Sequence, residues 1–205
     1  NLGYSGEGAG GSYHSVYDSF DHYIRFGDAT FDYGIALAQT AGRAMLRLAN
    51  ADVLPFEFLS LADSIGRYVT EISKLADDMR QQTAEKNRQI QEGTLEAYFD
   101  LQKPHVLPTP KPEVPAVTFK ALQDAVAKLQ ASSKRFAEQV NRLGLAGHPL
   151  SPSAEEALDG ILFGSERALT RASGLPQRPW FKHQIYAPGL YTGYGVKTLP
   201  AVREA

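Results

Sequence analysis

Seven residues, Phe58, Leu61, Ile65, Tyr68, Ile72, Leu75 and Met79, recur in alternating steps of three and four. Only a helix brings positions so spaced to one face. They form a heptad seam about 33 Å long at 1.5 Å per residue. A seam of that length needs a covering partner, so the rest of the chain is read for one. After Met79, "RQQTAEKNRQIQEG" keeps helix-forming residues but loses the apolar stripe, which predicts a helical extension standing in solvent. "KPHVLPTPKPEVPAV" then carries five prolines in fifteen residues. It can be neither helix nor central strand and reads as an extended connector.

The covering helix is expected from about Thr118 to Leu143. Phe119, Leu122, Ala125 with Val126, Leu129, Phe136, Val140 and Leu143 keep heptad spacing, with Ser133 as the polar gap and Gly144 as the stop. Another helix should start in "HPLSPSAEEAL" and end near Gly174, carrying Leu158, Ile161, Leu162, Leu169 and Ala172. Ser151 with Pro152, or alternatively Ser153 with Glu156, would cap it. A leading helix is expected from about Thr30 to Asn50, with Phe31, Ile35, Ala38, Gly42, Met45 and Ala49 on one face. Pro55 separates it from the seam helix. Residues 3–12 are a glycine-rich loop, and the stretch from Leu175 onward is an ordered, aromatic-rich coil. The fold class expected is mainly α, a helical bundle. Its remaining open seam would be closed by the leading helix, by a second copy or by a further helix.

The chain has 205 residues, no cysteine and a net charge of −2. Disulfides, thiolate metal sites and cysteine nucleophiles are thereby excluded. The near-balanced charge offers no electrostatic footprint for nucleic acid or an anionic membrane, and no run of apolar residues is long enough to span a bilayer. The start at Asn1 without a methionine leads us to expect a piece of a longer polypeptide.

His14, Asp18 and His22 are spaced by four, as zinc ligands on one helix face would be. The glycines before His14 favour a loop end instead, with Asp18 and His22 in surface hydrogen bonds. His105 and His148 read as solvated loop residues, and His183 as a hydrogen-bonding member of the aromatic coil. No serine sits in a nucleophile elbow, and the glycine loop lacks the Gly-Lys-Ser/Thr of a phosphate loop.

Three stretches together, "YHSVYDSFDHY" (13–23), "ALAQTAGRAMLRLANADVLPF" (36–56) and "GLPQRPWFKHQIYAPGLYTGYG" (174–195), resemble the glutamate carboxypeptidase and transferrin-receptor family. The resemblance implies that residues 1–51 are the C-terminal remnant of an α/β zinc-peptidase domain. Residues 52–205 would be a helical dimerisation domain, with an insertion at about 80–116 and its last helix missing. It further implies a homodimer and an exported parent protein acting on peptides through two zinc ions.

In that family the histidine of "Y-H-S-V-Y" ligates zinc, and His14 occupies its position; the other ligands and the general base would lie upstream. A fragment with one ligand is expected to hold zinc weakly and to hydrolyse nothing alone. Tyr13 matches a tyrosine lining the substrate pocket. Tyr194 matches the tyrosine of a Lys-Tyr pair that grips a terminal glutamate, but Gly193 stands where the lysine should be. Losing that charge-assisted partner costs roughly 1.5–3 kcal/mol, which counts against glutamate preference. Lys197 does not match the missing position. An alternative implied by the same resemblance is a non-catalytic, receptor-like relative that uses the helical domain to bind another protein.

Overall fold

The computed structural model of the chain describes residues 2–4, 11–51, 53–100, 106, 108–144 and 150–205. Most of the glycine-rich loop, together with His105 and His148, lies outside these residues. The chain divides into two compact units, Asn1–Leu54 and Pro55–Ala205.

In the first unit, α1 (Phe20–His22) runs into a wide turn at Tyr23–Gly27, and α2 follows at Asp32–Ala49. Phe31, in left-handed backbone (φ 60°), precedes α2 and gives it no side-chain cap. Asp28 serves instead. Its buried carboxylate accepts hydrogen bonds from the Gly34 amide (2.9 Å) in the first turn and from the Tyr23 hydroxyl (3.1 Å). Phe31 in turn rests between Phe20 and Tyr23, with ring centroids 6.3 and 6.1 Å away.

Burial pushes the Asp28 carboxyl up. Donation from the Gly34 and Tyr33 amides, the Tyr23 hydroxyl and the Asp32 amide outweighs it and holds the group below the ordinary aspartate value. Asp28 therefore takes up its proton more readily when unfolded. Its contribution to stability is complete above the ordinary carboxyl range and is lost as pH falls through the lower folded value. Asp28→Asn should lower the melting temperature at neutral pH and flatten this acid limb, as read by helical circular dichroism across an acid titration.

None of the α2 residues is buried. The expected apolar face is open, with Ile35 half exposed and Met45 70% exposed. The spacing of this face is helical as expected; among the described residues Phe31 is packed at its start, against Phe20 and Tyr23, while Ile35 and Met45 stay exposed.

In the second unit, α3 (Phe58–Gln91) and α4 (Lys120–Leu143) pack antiparallel. Phe58 meets Phe136 edge-on at 5.3 Å, Gln130 donates to Asp63 at 2.8 Å, and Gly66 faces Val126. As numbers rise along α3 they fall along α4. The core consists of Ile65, Val69, Ile72 and Val126 with Leu199 from the C-terminal segment, flanked by Leu61, Tyr68, Phe119, Leu122 and Leu129. Each fully buried aliphatic side chain contributes roughly 1.5–3 kcal/mol.

The seam differs from its expected form at both edges. Ala62 and Val69 join the buried stripe, whereas Leu75 and Met79 are 37% and 50% exposed. The cause is the end of the covering helix. Beyond Ile72 the partner of α3 is no longer α4 but the proline-rich connector, which lacks a side-chain stripe to fill the groove. The second half of α3 is nevertheless not bare. The Asn87 side-chain amide donates to the Lys111 carbonyl (2.7 Å), and its oxygen accepts the Lys111 amide (2.9 Å). An extended connector has no internal hydrogen bonds, so this one side chain satisfies both polar groups of a residue that helix or sheet would otherwise pair.

Gly144 closes α4 in left-handed backbone at φ 60°, as its sequence position suggests. Ser151 caps α5 (Pro152–Ala168), accepting the Ala154 amide, with Pro152 in the first turn. That helix stops short of Gly174. Thr170 turns its hydroxyl back onto the Arg167 carbonyl, and the next residues pair with the returning chain: Arg171 donates to Lys182 and Gln184 to Leu169. The expected coil contains a two-stranded antiparallel ribbon, β1 (Tyr186–Pro188) and β2 (Val196–Thr198), and a short α6 (Pro200–Arg203). Arg178, only 6% exposed, ties this segment together. Its guanidinium pairs with Glu204 and the Pro188 carbonyl, while the other Glu204 oxygen accepts the Leu190 amide at 2.8 Å.

Among the described residues, no helix is long and apolar enough to cross a membrane.

Candidate functional site

His14 sits on a turn built by serines. The Ser15 amide (3.0 Å) and hydroxyl (2.7 Å) both donate to the Ser12 carbonyl, and the Tyr17 amide donates to Ser15 Oγ (3.1 Å). This turn puts His14 at φ 59°, a left-handed conformation that costs a non-glycine residue about 1–3 kcal/mol. Strain of this kind gathers at functional positions, and here the residue that bears it is exposed. The Tyr13 ring meets it edge-on at 4.0 Å and is itself 75% exposed.

Asp18 is engaged with the main chain, accepting the His14 amide at 3.4 Å. His22 lies against Phe26, their rings tilted by 50° with centroids 5.1 Å apart. The three residues spaced by four therefore do not converge, and the described residues contain no group of three or more His, Asp or Glu able to hold a metal ion. A single exposed histidine fits one share of a metal centre, not a whole one.

Tyr194 lies in the second unit, on the loop joining β1 to β2. The Gly189 amide donates to the Gly195 carbonyl (3.0 Å), which also accepts the Thr192 hydroxyl (2.6 Å). Gly193 takes φ 54°, and Tyr194 projects fully into solvent. Lys197 is held in β2 opposite Ala187, outside the tight turn that carries Tyr194.

A further cluster surrounds His183, which the sequence marks as a hydrogen-bonding member of the coil without indicating its partners, Glu166 and Tyr186. The His183 Nδ1 accepts the Ile185 and Tyr186 amides at 3.2 and 3.3 Å. Its Nε2 lies 3.0 Å from the Glu166 carboxylate but off the line of the N–H, so it stays a buried donor without an aligned acceptor. The same Glu166 oxygen accepts the Tyr186 hydroxyl at 2.9 Å, and the two rings lie 4.0 Å apart. That hydrogen bond, with burial and the carboxylate charge behind it, raises the Tyr186 pKa. The hint in the chain was the His-x-x-Tyr spacing beside a proline, but Glu166 is remote in sequence and only folding brings it there.

Residues 117–205 match the transferrin receptor-like dimerisation domain family. Over 193 residues the chain is 30% identical to a probable glutamate carboxypeptidase of Arabidopsis thaliana, covering 94% of this chain and 22% of that protein. A probable glutamate carboxypeptidase of Arthroderma benhamiae matches at the same identity and the same coverage. An aminopeptidase of Rattus norvegicus is 24% identical over 95% of this chain and 21% of its own length. The chain thus spans about a fifth of the length of these relatives. Residues 117–205 thus carry the dimerisation domain of the transferrin receptor-like family, and over most of its length the chain is similar to glutamate carboxypeptidase-like proteins.

Proposed function

We propose that this chain is the C-terminal part of a dimeric zinc peptidase and contributes two things to it: a subunit contact and one wall of the active site. His14 supplies one imidazole to a two-zinc centre whose other ligands and general base lie in a part of the protein outside this chain. Two zinc ions, when bound, activate a water for attack on a peptide carbonyl. Tyr13 and Tyr194 face the peptide substrate, and residues 55–205 bring two copies together.

The observation that carries the reading is the strained, exposed His14 beside Tyr13. The serine turn and Asp18 hold that geometry, which suits a ligand that must reach a metal shared with other parts of the protein. The peptidase relatives, aligned through nearly the whole chain, support it further.

Position 193 is glycine where the resemblance would place a lysine that fixes a terminal glutamate, which counts against a preference for glutamate. In the full-length protein, His14→Ala should lose zinc and peptidase rate together while its oligomeric state is unchanged. Normal zinc content and normal turnover in that variant would remove His14 from the site. An unmutated protein that holds no zinc and has no peptidase activity would favour the receptor-like alternative. Sedimentation of the 205-residue chain tests the dimer separately, and a monomer at all concentrations counts against it.

A further inference from the structure

The His183 cluster joins three parts of the second unit: the last turn of α5 through Glu166, the 183–186 turn, and the first residue of β1 through Tyr186. Its hydrogen-bond pattern works with only one protonation state. Nδ1 receives two backbone N–H groups, so it must carry no proton, and the neutral ring keeps its hydrogen on Nε2. A second proton has only Nδ1 to go to. There it would face two amide hydrogens and cancel both bonds at once.

The surrounding charges do not rescue that state. Glu166 is the carboxylate beside Nε2, but its side chain is 60% exposed and its geometry to Nε2 is off-axis, so solvent screens the attraction. Tyr186 is committed as a donor to the same carboxylate. Lys182, the neighbouring cation, turns its ammonium to the Ala172 carbonyl, and Arg167 lies over the Phe163 ring, 4.5 Å from its centroid.

We propose that His183 is a proton-operated latch: neutral, it holds the 183–186 turn and β1 against α5; protonated, it releases the Ile185 and Tyr186 amides and loosens the ribbon that displays Tyr194. The ribbon is short enough to respond, since only three residue pairs hold it. Beneath it, the Ile185 side chain and Leu199 rest on the α3–α4 core, and the contacts that join α3 to α4 do not pass through His183. Release therefore loosens the loop without unfolding the helical pair. The inference stands without the zinc-peptidase reading, because every group in it belongs to the second unit.

The test uses the 205-residue chain. Trp180, the only tryptophan, lies three residues from His183 and is 67% exposed, so its emission reports on the turn. Between about pH 8 and about pH 5, the span in which imidazoles change charge, the emission should follow a one-proton curve. The hydrogen-exchange protection of the Ile185 and Tyr186 amides should fall at least about tenfold, the change that one unit of pH makes in a one-proton equilibrium, while α3 and α4 stay protected. His183→Asn is the decisive variant. The asparagine Oδ1 can take the place of Nδ1 as acceptor but does not titrate, so the turn should persist and both changes should vanish. Unchanged protection of the two amides down to pH 5 in the unmutated chain overturns the latch, with no variant required. The same transition surviving in His183→Asn overturns it as well, assigning the response to another histidine.

Discussion

Gly174→Ala should destabilise the second unit by about 3 kcal/mol, the sum of two separate penalties. The first is conformational: Gly174 sits at φ 68°, and an L side chain there costs about 1–2 kcal/mol. The second is steric, because an added Cβ would lie 2.3 Å from the Pro179 carbonyl oxygen and 2.7 Å from its carbon. Those are backbone atoms in a closed turn, where Leu175 donates to Phe181 and Phe181 to Arg178. They cannot yield without moving Leu175, which is 2% exposed, and the Arg178 anchor. Overpacking of this kind costs about 1–3 kcal/mol.

At roughly 2–4 °C per kcal/mol for a unit of this size, the melting temperature should fall by about 10 °C. Gly193→Ala is the control. It shares the positive φ, at 54°, but its Cβ would meet nothing within 4 Å, so only the smaller penalty applies. Equal losses for the two variants would show that the Pro179 contact is not rigid.

Leu199→Ala should cost a similar amount, about 3 kcal/mol within the 2–5 range for truncating a buried leucine. Leu199 is 5% exposed and packs with Ile65, Val69, Ile72 and Val126. It does so from left-handed backbone at φ 46°, with its amide donating to the Ile185 carbonyl at 2.7 Å. The burial has to offset that strain, and alanine keeps the strain while losing most of the buried surface. A lower denaturation midpoint with unchanged slope is the expected result. Hydrogen exchange should place the loss in β2 and α6 before α3 and α4. A loss below about 1 kcal/mol would mean that the C-terminal segment is not held by the α3–α4 pair.

These two positions also mark where reading from residues alone stops. The stripe from Phe58 to Ile72 and its match between Phe119 and Val140 were legible because helical spacing is a local property. The Gly144 stop and the proline break were legible for the same reason, since each acts through its own backbone. The extent of the seam was not. Leu75 and Met79 follow the same spacing as Ile65 and Ile72, and only the place where α4 begins decides that they stay exposed. The end of α5 is not legible in the sequence, because the competing bonds of Arg171 and Gln184 reach residues more than ten positions away.

The candidate site divides in the same way. The family motif singled out Tyr13, His14 and Tyr194, since residue identity at fixed spacing survives in a linear string. The left-handed strain at the exposed His14, and the meeting of Glu166, His183 and Tyr186, are properties of the folded chain. By itself the amino-acid string determined the helices, their apolar faces and the family motifs, because each depends on neighbours within a few turns. Tertiary structure decided which faces are covered, which strained residues are tolerated and which distant polar groups meet. Those outcomes depend on what the rest of the chain brings within about 4 Å.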